Sequence, residues 1–225
     1  MKWGFPMAFA TTMIAWSGIN YGDAYAEMGY LGELYKQVKW ATDYFIKCHP
    51  EEYVFYAQVG VPDIDHKEWV RSEYMQMSRP AIALDADNPG SEVAAETAAA
   101  LAAAAILFSD EDSEYAEELL THAIVLLEFA QTYRGEYDES IPSAKSFYRS
   151  LSYGDELAWA ALWLYYVTDD NQYLQYADDI IAEFNLDDTS VTPTGNTHFQ
   201  TFTFIFLFQF RLHLNFSIYF SSREF

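Results

Sequence analysis

The chain has 225 residues, 51% of them hydrophobic and 18% aromatic, with a formal net charge of −22. That length supports one domain with a sizeable core, and the apolar content excludes a disordered chain. The acidic balance repels phosphate backbones and anionic membrane surfaces, so no nucleic acid and no membrane is expected as a partner, and a neutral substrate fits better.

The segment Met1-Lys2-Trp3-Gly4-Phe5-Pro6 contains no apolar run ending in a small-residue cleavage site, so it does not read as a signal peptide. Residues 6–19 are apolar nearly all round, which predicts a buried helix. Residues 24–47 carry a stripe at Met28, Leu31, Tyr35, Val38, Thr42 and Phe45, the spacing of a helix with one buried face. Cys48, the single cysteine, follows that pattern and reads as a small core hydrophobe; no intrachain disulfide can form. Tyr53 to Val59 is a short strand-like run, and polar loops follow to residue 89.

Residues 90–108 are again apolar on most faces. Residues 113–133 show one apolar stripe through Ala116, Leu119, Leu120, Ala123, Leu127 and Ala130. A loop with Gly135 and Pro142 spans 134–154. Residues 155–167 are apolar all round after Asp155-Glu156, and 171–184 return to one stripe, with Leu174, Ala177, Ile181 and Phe184.

Helices apolar all round must be buried on all sides, and one-sided helices lie outside them. The alternation predicts about three inner/outer helix hairpins, an all-α fold read as part of an (α/α)6 toroid, in which six such hairpins close a ring. Half a ring would leave the inner helix 155–167 along an open, aggregation-prone edge.

Residues 191–225 differ from all that precedes them. They hold two basic residues, Arg211 and Arg223, and one acidic, Glu224. Every even position from Phe202 to Phe220 is apolar, the alternation of a β-strand. Such a strand would be unusually long. Phe, Leu, Ile, Ser and Tyr also have thymine-rich codons, so a translated thymine-rich non-coding stretch is the other reading. The expected organisation is therefore a domain over 1–190 and a separate Phe-rich tail over 191–225.

None of the histidines, His49, His66, His122, His198 and His213, shows metal-ligand spacing. There is no glycine-rich phosphate loop, no Gly-x-Ser-x-Gly elbow and no cysteine cluster.

Four stretches, in order, carry a resemblance. Lys2-Trp3-Gly4-Phe5-Pro6-Met7-Ala8-Phe9 is followed by Asp65-His66-Lys67-Glu68-Trp69-Val70-Arg71-Ser72-Glu73. Arg79-Pro80 then precedes Pro89-Gly90-Ser91-Glu92-Val93-Ala94-Ala95-Glu96-Thr97. The fourth is Tyr148-Arg149-Ser150-Leu151-Ser152-Tyr153-Gly154-Asp155-Glu156-Leu157-Ala158-Trp159. Together they resemble glycoside hydrolase family 9, the cellulases and endoglucanases.

The resemblance implies an (α/α)6 toroid that hydrolyses internal β-1,4-glucosidic bonds of cellulose with inversion, and an extracellular location. Inversion needs a base carboxylate and an acid carboxyl about 6.5–9.5 Å apart. The family's Asp-Ala-Gly-Asp base motif and its Asn-Glu acid motif find no match among the 225 residues. The expectation is therefore no catalytic residue and an inactive chain, the alternative being a glucan-binding pseudoenzyme or regulatory fragment. His66, Trp69 and Tyr148 match family positions lining the β-1,4-glucan cleft, while Arg71 and Glu73 are expected to brace that loop by ion pairing. No cofactor is required. Calcium is the one cation the resemblance offers, through Ser152, Asp155 and Glu156; capping of the following helix is the alternative role for these residues.

Overall fold

The computed structural model describes residues 1–67 and 69–187. The Phe-rich tail, with His198 and His213, and the boundary at 190 lie outside the described residues.

Six long helices form three hairpins. They are α1 (Gly4–Glu27) with α2 (Leu31–Cys48), α4 (Ser91–Phe108) with α5 (Ser113–Thr132), and α7 (Gly154–Thr168) with α8 (Asn171–Glu183). A four-residue helix, α3 (Pro62–Asp65), lies between α2 and α4, and another, α6 (Tyr137–Ser140), between α5 and α7. Strands β1 (Lys2–Trp3), β2 (Phe55–Val59) and β3 (Ala81–Leu84) make one antiparallel sheet in the order β1-β2-β3. Lys2 pairs with Val59 and Phe55 with Leu84.

Helix α4 is the hub, packed against α1, α5 and α7. Every one of its residues except Ile106 is buried. Its alanines, from Ala94 to Ala105, carry almost no side-chain volume, so three helices approach its backbone. It is long and apolar enough to cross a membrane by composition, but 94% of that window is buried inside the protein. In this fold it is a core helix.

The outer helices bury one stripe each. In α2 it is Leu34, Val38, Thr42, Phe45 and Cys48. In α5 it includes Tyr115, Leu119, Ala123, Leu127 and Ala130, and in α8 Ala177 and Ile180. The side chains of Asp112 and Asp170 accept from Tyr115 N and Gln172 N, capping the two outer helices where each hairpin turns.

The first hairpin turns later than the stripe of 24–47 suggests. Residues 24–27 complete α1, Gly29 takes φ +73° and ends the helix, and α2 begins at Leu31. Met28, counted in the apolar stripe, is 71% exposed. Among the described residues, 154–165 of the helix expected to line an open edge are all buried, while Tyr166 is 38% exposed. Trp16 of α1 closes edge-on to both Trp159 and Trp163 of α7, with centroids 6.0 and 5.9 Å away.

The sheet is fastened to the start of α1. A Cβ on Gly4 would sit 2.7 Å from the Ala57 carbonyl oxygen, so only glycine lets the helix begin this close to β2. The loop of α6 is fastened to the start of α4 in the same region. Ser91 N donates to Gly135 O (2.8 Å), Gly135 N donates to Ser91 Oγ (3.1 Å), and Ser140 Oγ donates to Pro89 O (2.5 Å).

Candidate functional site

Three segments meet beside the sheet: the β1 strand, the end of α3, and the loop before α7. Trp3 lies edge-on to Tyr148 (5.0 Å between centroids) and tilted against Phe147 (5.7 Å). Phe147 in turn lies 4.7 Å from the His66 ring. The result is a row His66–Phe147–Trp3–Tyr148, with His66 and Phe147 exposed and Trp3 and Tyr148 half-buried.

The His66 ring is held 2.9 Å from the Pro62 carbonyl through Nδ1. A carbonyl only accepts, so Nδ1 carries the proton and Nε2 is the acceptor of the neutral ring. The Tyr148 backbone is held by the Tyr137 hydroxyl, which donates to its carbonyl. That hydroxyl's pKa is driven up, first by burial and then by Glu92, so it remains a donor.

His66 and Tyr148, far apart in sequence, are thus joined through Trp3 and Phe147. Trp69 is not part of the row: it stands fully exposed. Tyr74, 67% exposed, lies on the same segment between α3 and β3. Arg71 and Glu73 are exposed, and among the described residues neither makes an ion pair, so the bracing expected of them is not found. The segment instead has a 3-10 turn at Ser72–Tyr74.

Trp3 and Phe147 were not foreseen as site residues. Their signal was present: Trp3 begins the first family-like stretch, and Phe147 adjoins Tyr148.

A set of acids is buried at the starts of α4 and α7. Glu92 and Glu96 on α4, and Asp155 and Glu156 at the start of α7, are between 0% and 4% exposed. Burial pushes the Glu92 and Glu96 carboxyls up to about 8. In Glu92 the Tyr137 backbone N–H counters this, and in Glu96 the Asp155 charge adds to it while the Trp159 side chain opposes it. Burial likewise raises Asp155 and, more strongly, Glu156, which also faces Asp155, Glu96 and Glu92. Glu92 Oε2, Glu96 Oε1, Asp155 Oδ2 and Glu156 Oε2 have no hydrogen-bond partner among the described residues.

Ser152 is half-buried and its Oγ accepts from Gly154 N at 3.3 Å. Tyr153, not Ser152, is the N-cap of α7 and makes no side-chain cap bond. Hard carboxylate oxygens left unpaired in the interior are donors of the chemistry calcium takes.

Two histidines without metal-ligand spacing also meet. His49 Nδ1 lies 2.8 Å from His122 Nδ1, tying the end of α2 to α5. One ring must donate and the other accept. Burial is the main cause that lowers both pKa values.

The sequence model of glycosyl hydrolase family 9 matches residues 1–210. Endoglucanase 2 of Oryza sativa subsp. japonica is 52% identical over 177 residues, 78% of this chain and 28% of that protein. The solved endoglucanase of the termite Nasutitermes takasagoensis is 50% identical with a TM-score of 0.81, over 87% of this chain and 44% of that one. Endoglucanase CelQ from Clostridium thermocellum, solved complexed with cellotetraose, is 31% identical with a TM-score of 0.72, over 81% and 29%. The chain thus spans less than half the length of each relative, and its three hairpins are the partial (α/α)6 toroid expected. On the family match, the identity and the shared helical architecture, the chain belongs to glycosyl hydrolase family 9.

Proposed function

We propose that this chain forms one wall of the substrate cleft of an extracellular endo-β-1,4-glucanase, and that by itself it binds glucan without cleaving it. The observation that carries the reading is the aromatic row His66–Phe147–Trp3–Tyr148; Trp69, three residues after His66, is fully exposed. Flat rings stack on pyranose faces, and the acceptor nitrogen of His66 is suited to a sugar hydroxyl. A cellotetraose complex of CelQ supports β-1,4-glucan as the ligand class.

Inactivity rests on the acids. Those with raised pKa values, the property a general acid needs, are enclosed at 4% exposure or less. A glucan cannot reach them. Asp155 and Glu156, with Ser152, are the residues that would hold a calcium ion, whose positive charge would keep the buried carboxylates ionised.

Titration with cellotetraose tests the reading. Trp69→Ala should weaken binding several-fold while leaving the melting temperature unchanged, because its ring is fully exposed. Equal binding by Trp69→Ala and Phe147→Ala variants would remove the cleft-wall reading. Release of reducing ends by the wild-type chain, lost on mutating one of its own carboxylates, would remove the inactivity.

A further inference from the structure

The loop that carries α6 brings three acids together. One ligand oxygen each from Glu136, Asp138 and Glu139 lies within 4.8 Å of the others, a grouping no other acidic, histidine or cysteine trio achieves among the described residues. Clustered acids on a surface are common and by themselves indicate nothing. Here two further observations point to a ligand.

The first is Asp138. It is 1% exposed, and neither of its carboxylate oxygens has a hydrogen-bond partner among the described residues. A bare buried carboxylate is costly, because burial withholds water and nothing replaces it. Its pKa is raised, first by burial, with Lys145 and Arg149 opposing and Glu139 adding.

The second comes from another helix. Glu92 of α4 accepts the Tyr137 backbone N–H through Oε1 (2.8 Å), which seats its carboxylate against the peptide between Glu136 and Asp138. Its Oε2 is buried and unpaired. The loop backbone is held to the start of α4 by the Ser91, Gly135 and Ser140 hydrogen bonds, so the acids are assembled in advance.

We propose that Glu136, Asp138 and Glu139 form a calcium-type divalent-cation site, separate from the Ser152, Asp155 and Glu156 set. The donors are all carboxylate oxygens, which suits a hard cation, and Asp138 offers both of its own. Lys145 is the built-in competitor: its Nζ is paired with Glu139 at the exposed rim. Cation binding takes Glu139 from Lys145. The site needs no glucan and stands or falls independently of the cleft reading.

Terbium, a calcium surrogate, is the probe, since Tyr137 lies between two of the ligands and can sensitise its luminescence. The full chain should give a saturable signal that calcium displaces, with an affinity in the range of about 0.1–1 mM typical of extracellular modules. Asp138→Asn and Glu139→Gln should each weaken it about tenfold or more, Glu117→Gln on the exposed face of α5 should leave it unchanged, and Lys145→Met should tighten it. Circular dichroism checks each fold; Glu139 is exposed, so its variant carries the test if Asp138→Asn does not fold. No saturable signal at millimolar calcium would overturn the proposal. So would wild-type affinity in folded Glu139→Gln and Asp138→Asn, or an equal loss in Glu117→Gln.

Discussion

Glu96 is fully enclosed, and burial, with the Asp155 charge adding to it, pushes its carboxyl up to about 8 from the ordinary 4.5. The folded protein therefore binds its proton more tightly than the unfolded chain does. The contribution to stability is complete below about pH 4.5 and is lost as pH rises toward 8, in the sense linkage requires. Glu96→Gln should flatten the fall of unfolding free energy between pH 5 and 8 in a chelating buffer, by an amount on the order of a few kcal/mol. An unchanged slope in the variant would mean that the neighbouring acids, not Glu96, hold the proton. His49 and His122 act in the opposite direction. Their lowered pKa values contribute stability above the ordinary 6.5, which is lost as pH falls through the depressed values. None of these pairings is visible in the chain itself, where 73 positions separate the two histidines.

Between elements, stability depends on how closely the inner helices meet. Trp159 is 1% exposed, with Trp16 and Trp163 edge-on around it. Trp159→Ala should cost about 3–5 kcal/mol in denaturant unfolding, because a cavity of that size cannot collapse against alanine-lined α4. Gly154 opens α7 directly beneath the ring of Phe184, which a Cβ would meet at 2.3 Å. Gly154→Ala should destabilise by about 1–3 kcal/mol, and Phe184→Leu in the same chain should recover part of that. Purely additive effects would show that α8 shifts to make room. The buried and one-sided helices were legible beforehand because period and polarity report them. The turn at Gly29 was not, since Met28 extends an apolar stripe into a position that only the left-handed glycine turns out to solvent.

For the whole molecule, charge is the governing term. With 34 acidic and 12 basic residues the surface repels itself. Raising the salt from about 0.01 to 0.15 M shortens the screening length from about 30 to 8 Å. The melting temperature should rise over that range. A flat response would mean that the few ion pairs present, such as Arg134 with Glu183 at 2.6 Å, already offset the field.

The amino-acid order alone determined the all-α class, the three inner/outer hairpins and the family, because helical period, all-round apolarity and four ordered motifs are properties of neighbouring residues. It also named His66 and Tyr148, though only through resemblance. Tertiary structure decided what lies between them. It placed Trp3 and Phe147 in one row, left Trp69 alone in solvent, closed α1 onto α7, and enclosed Glu92, Glu96, Asp138, Asp155 and Glu156. Burial and charge proximity depend on which segments pack together, and a carboxylate's sequence neighbours do not say whether water will reach it.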